Sequence, residues 1–173
     1  MAFFGDFSSI KTAIFLLNLL NLKLKVMKRA EILLKIIEEQ KKVIESLQQS
    51  VNQYRTESDM DEESTHDPED FSHQTEAKDM QLRFEKTIKT AEQNLRFLEN
   101  EKERSHEKIE NGCLIETDKN FLFVGISVPV FKIEDKEVIS FSEEAPVFEN
   151  IRGKKVGEQV KIRDVSFVIQ SFS

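Results

Sequence analysis

The chain of 173 residues has one Cys, no Trp, one Tyr, three Pro and five Gly. A single Cys excludes a disulfide framework and any multi-Cys zinc site, and fits a reducing, cytoplasmic compartment. So little Gly and Pro, in a chain of which 33% is charged, leaves few helix breakers and points to long helices. The length holds one or two small domains and is too short for a large catalytic barrel. A net charge of -7 lacks the basic face a nucleic-acid coat needs, so no direct DNA binding is expected.

What is present divides into three segments, residues 1–26, 27–111 and 112–173. The first carries the apolar run Ala13 to Leu22, interrupted by Asn18 and Asn21. It is shorter than the roughly 20 apolar residues of a spanning helix and has no small-residue cleavage site, so no membrane partner is expected. Three readings fit it: translation from Met27 instead of Met1, an extra turn or two of helix packed on its neighbour, or a membrane anchor.

From Ala30 onward the apolar residues fall into heptads. Ala30, Ile37, Ile44 and Val51 sit seven apart, Leu33, Leu47 and Tyr54 fill the companion positions, and Gln40 is the polar break. Asp67-Pro68-Glu69 reads as a second helix start, with Asp as cap and Pro in the first turn. A second seam runs Ala77, Phe84, Ile88, Ala91, Leu95, Leu98, and Gly112 closes the region. The expectation is a long antiparallel coiled-coil hairpin, about 45 Å for a first helix of about thirty residues.

The end of that hairpin, near 57–72, is acidic. Between Arg55 and Lys78 the only basic side chains are His66 and His73, among Glu57, Asp59, Asp61, Glu62, Glu63, Asp67, Glu69, Asp70 and Glu76. Crowded carboxylates repel one another and add nothing to a packed turn. They suit Mg²⁺, which takes one or two carboxylates plus waters and phosphate oxygens. Zinc would want softer ligands than this window holds, so both His are read as surface residues.

After Gly112 the apolar period changes to two. Strands are expected at 113–117, 120–124, 127–133, 136–141, 159–163 and 165–171, with a short helix at Pro146–Ile151. The fold class is therefore α+β, a helical hairpin followed by a small antiparallel sheet domain with one short helix.

The stretch Glu144-Ala-Pro-Val-Phe-Glu-Asn-Ile-Arg-Gly-Lys-Lys-Val-Gly157, with Val160-Lys-Ile162 and Phe167-Val-Ile169, resembles the end of Gre-family transcription elongation factors. The resemblance covers residues 27–173 in order, and it implies that the sheet domain is FKBP-like. It also implies a partner, RNA polymerase. The globular domain would dock at the rim of the secondary channel, here around Pro146, Val147, Phe148 and Ile151. The hairpin would carry tip carboxylates to the active centre, beside the nascent RNA, and help hold a Mg²⁺ shared with the polymerase, which then cleaves backtracked RNA. Such a factor has no complete active site of its own.

The family's tip, Gly-Asp-x-x-Glu-Asn-x-Glu-Tyr, is matched here by His66-Asp-Pro-Glu-Asp-Phe-Ser-His-Gln74. Asp67 takes the first carboxylate position and Asp70 the second, with Asp61, Glu62 and Glu69 as secondary candidates. Asp70 replaces a Glu, Phe71 an Asn, and Ala145 the Ser of a Ser-Pro pair. Asp67-Pro-Glu-Asp70 also resembles the Asp-x-x-Asp tip of DksA-type factors, which enter the same channel and do not cleave RNA; their zinc-binding cysteines are absent. The alternatives are thus a non-cleaving channel regulator, DksA-like or anti-Gre-like, and a structural coiled-coil interaction protein.

Overall fold

The computed structural model describes residues 6–60, 68–162 and 164–173, and side chains over 10–57, 75–162 and 164–173. The protein is α+β. Helix α1 runs Asp6–Met60 and α2 Pro68–Glu101. Neither Gly nor Pro occurs from Asp6 to Met60, so nothing in that stretch breaks the backbone hydrogen-bond ladder, and α1 passes through residue 26 without interruption. This corrects the expected first helix of about thirty residues beginning near Ala30; α1 has 55. Heptad spacing finds where a helix is covered, and α1 continues well before its covered part.

Two compact units form, one of the chain up to Leu34 with Arg104–Ser173, the other Lys35–Glu103. In the helical unit the side chains at seam positions are buried or half-buried. Ile37, Val51, Ala91 and Leu98 are at most 8% exposed. Gln40, the polar break, is buried and donates from Nε2 to the Ala91 carbonyl at 2.9 Å. Its amide is thereby satisfied, and a polar group at a seam penalises any register that would leave it unpaired. Further along, the Tyr54 and Phe84 rings stack with centroids 5.6 Å apart. The ion pairs on the outer face, such as Lys35 with Glu38, are exposed and contribute little.

In the other unit the strands are β1 Leu114–Thr117, β2 Asn120–Val124, β3 Phe131–Ile133, β4 Lys136–Phe141, β5 Gln159–Ile162 and β6 Val165–Phe172, with helix α3 Pro146–Ile151 between β4 and β5. They form one sheet in the order β3-β4-β2-β1-β6-β5. It is mixed, which corrects the expected antiparallel sheet: β2 pairs with β4 in parallel, while the other neighbours are antiparallel. Consecutive hairpins would have paired β3 with β2. Instead β3 forms the outer edge and β4 turns back between them.

The expected strand over 127–133 shortens to Phe131–Ile133. Pro129, in the segment before it, has no N–H to offer a ladder. Next to it, the Val128 N–H donates to Ser140 Oγ at 3.0 Å, a side chain standing in for a strand partner.

Alternation along β2 sends Leu122 and Val124 to one face and Phe121 and Phe123 to the other. The first face joins Ile115, Val160 and Ile169 with Phe148 and Ile151 of α3 in one buried cluster. On the second, Lys28 of α1 and Lys136 of β4 place their ammonium groups 4.9 and 5.2 Å from the centre of the buried Phe121 ring. Lys136 also donates to Glu116 and to the Thr117 carbonyl, and Lys25 donates to the Phe172 carbonyl. The early part of α1 is thus pinned to this sheet.

Candidate functional site

Of the expected tip residues, Asp61, Glu62 and Asp67 lie outside the described residues. Glu69 and Asp70 fall in the first turn of α2, with their side chains outside the described set. Pro68 opens α2 as its fixed φ favours. Carboxylates near a helix N-terminus meet the positive end of its dipole. Among the described residues no group of three or more His, Cys, Asp or Glu could hold a metal ion. The candidate Mg²⁺ ligands therefore rest on the chemistry of the donor set, hard oxygens suited to that ion.

The four expected docking residues separate. Phe148 and Ile151 are 5% and 0% exposed in the core beneath α3, where no partner can reach them. Pro146 is exposed and Val147 half-buried. In a six-residue helix the 3.6-residue period allows only one face inward, and Phe148 and Ile151 take it.

Pro146 and Val147 form one wall of a concave surface of about 790 Å³. Its floor is Ile139, Phe141 and Phe167, and its rim includes Val130 and Val165, exposed by 57% and 45%. At one end stand Lys119 and Glu137. Lys119 lies 5.8 Å from the Phe167 ring centre and donates to the Ser166 carbonyl, so its charge is held at the groove's edge. The arrangement fits an apolar side chain or two from a partner, flanked by polar groups. Sequence reasoning assigned the Phe residues to the core and missed Val130 and Val165. Val130 precedes β3 and Val165 is the first residue of β6, so neither is covered by a neighbouring layer as the strand interiors are.

The Gly-Lys-Lys-x-Gly turn has a conformational basis. Gly153 and Gly157 adopt φ of +75° and +88°, with nothing within 4 Å of where a Cβ would stand. They are needed for the left-handed backbone.

Arg29 is a residue the sequence did not single out. It is 4% exposed within α1, and its guanidinium donates from Nε to the Arg104 carbonyl at 3.0 Å, from Nη1 to Ser173 at 2.7 Å and from Nη2 to Gly112 at 3.0 Å. The fork geometry of arginine suits three divergent acceptors.

Nearby, Cys113 is fully buried, and loss of solvation pushes its thiol from an ordinary 9.0 up to about 11. The unfolded thiol ionises first, so stability is intact below pH 9 and falls as pH rises from 9 toward 11. The loss over that window is about 2 kcal/mol. Urea unfolding at pH 8 and 10.5 should show this extra loss in the wild type and not in Cys113→Ala. Equal pH dependence in the two would show that the folded thiol ionises normally.

No protein-family model, characterised protein or solved structure matches this chain.

Proposed function

We propose that the protein is a secondary-channel regulator of RNA polymerase, a Gre-like factor that promotes cleavage of backtracked RNA. The observation that carries the reading is the pairing of the two helical segments. Gln40 bonds Ala91, and Tyr54 stacks on Phe84 nearer the acidic segment. Contacts in that order support the reading of an antiparallel coiled-coil hairpin with the acid-rich residues 57–72 at its far end. From Lys35 to Met60 the helix rises about 40 Å, a length that delivers side chains well away from their base.

In this reading the sheet domain, taken as FKBP-like, stays outside the channel. It docks through the groove walled by Pro146 and Val147, with Phe148 and Ile151 supporting that wall from beneath. Asp67 and Asp70 enter the polymerase active centre and share its Mg²⁺, which supplies charge stabilisation at the scissile phosphate. Chemistry belongs to the polymerase; the factor positions. Asp70 and Phe71, standing where the family has Glu and Asn, favour the second reading, a regulator that enters the channel and does not cut.

The test is direct. The protein is added to stalled, backtracked elongation complexes with Mg²⁺, and both binding and the RNA 3′ end are followed. The cleavage reading expects binding and shortening, with binding weakened by Val147→Asp. Binding without shortening would select the non-cutting regulator. No binding would leave a structural coiled-coil protein.

A further inference from the structure

Within α1, every Leu from 16 to 24, with Ile14, Phe15, Val26 and Met27, is more than half exposed. Uncovered apolar surface of this extent marks something that covers it. At 100° per residue, Lys11, Asn18, Asn21 and Lys25 share one sector about 80° wide. Around the rest of the helix between residues 10 and 27, only Thr12 and Lys23 interrupt the apolar surface.

Charge identifies the cover. The chain carries 32 acidic residues, yet none lies between Asp6 and Glu31, and that interval holds Lys11, Lys23, Lys25, Lys28 and Arg29. Lys25, Lys28 and Arg29 are engaged with Glu134 and with backbone carbonyls, and Lys23 stands at the surface. A cationic, apolar helix on a protein of net charge -7 is complementary to an anionic surface and not to another copy of itself, whose lysines it would repel. A helical partner covers a stripe of about 100°, far less than the apolar arc here, while a lipid surface can cover a wide arc.

We propose that residues 10–27 of α1 bind the surface of an anionic phospholipid bilayer, lying in its headgroup region. No helix among the described residues is long and apolar enough to cross a membrane. The expectation of no membrane partner rested on the shortness of the apolar run. Length limits spanning; it does not limit interfacial binding.

Flotation of the full chain with vesicles tests this. Vesicles containing phosphatidylglycerol should carry the protein upward, and pure phosphatidylcholine should carry about tenfold less, with the difference shrinking as salt rises. Lys23→Glu should weaken flotation about tenfold. The double variant Leu19→Glu, Leu20→Glu should abolish it while leaving thermal unfolding unchanged, since both positions are exposed. Flotation with neither vesicle, or equally with both, would overturn the proposal. Self-association in the absence of lipid, removed by the Leu variant and unaccompanied by vesicle binding, would also overturn it and assign the face to a second copy.

Discussion

Asp70→Ala is expected to lower Mg²⁺-dependent shortening of backtracked RNA about 100-fold while leaving polymerase binding unchanged. The size follows from how tip carboxylates act in the proposed mechanism. They contribute position and charge to a metal held mainly by another enzyme, and a displacement near 1 Å at such a centre costs about 100-fold in rate. Deleting the carboxylate removes the contact altogether. Asp67→Ala should do the same, and the double variant should be little worse than either single, because two ligands of one ion act as a unit.

The lengthening Asp70→Glu is the informative partner. It adds one methylene at the position where the Gre family has Glu, so it should raise the rate above wild type if reach limits cleavage. Gel analysis of the RNA 3′ end reads all four proteins. A rate unmoved by either alanine would remove these carboxylates from the chemistry.

Arg29→Ala is expected to destabilise the sheet unit by about 4 kcal/mol. The guanidinium is buried and ties α1 to carbonyls of Arg104, Gly112 and Ser173, which are 75, 83 and 144 residues away in sequence. Truncation leaves these acceptors without their charged donor, and water entering the space recovers only part of the loss. Arg29→Lys should recover little, since one compact ammonium cannot face three acceptors that a planar fork meets at once. Urea unfolding monitored by circular dichroism gives the values. A loss below about 1 kcal/mol for Arg29→Ala would show that the carbonyls find other donors.

The residues differ in how much of this they announce in the sequence. Seam positions of α2 and of α1 from Leu33 onward, though not the exposed Ala30, and the limits of β2, β4 and α3 were legible because periodicity reports burial directly, and burial is what forms these elements. The start of α1 was not. Its first part is helical by continuity, with its apolar side chains exposed, so no heptad seam marks it. The parallel pairing of β2 with β4 was equally hidden, because strand order depends on which face each connection crosses and not on any one strand's composition.

At the candidate site the acidic window was visible as composition alone. The docking expectation took Pro146, Val147, Phe148 and Ile151 together, although a short helix turns only one face outward, and Val130 and Val165 lay in segments whose alternation was read as core. Arg29 was invisible, for one basic residue beside Lys23, Lys25 and Lys28 looks like any solvated one. Only the carbonyls of Arg104, Gly112 and Ser173 around it reveal the joint.

The central claim is that the hairpin's acidic turn lies inside the polymerase when the factor is bound. A photo-crosslinking amino acid placed at Glu63, in complexes with backtracked polymerase, tests it most directly. The account predicts crosslinks to the polymerase's catalytic loops and to the RNA 3′ segment. Crosslinks confined to the outer surface of the polymerase would contradict it.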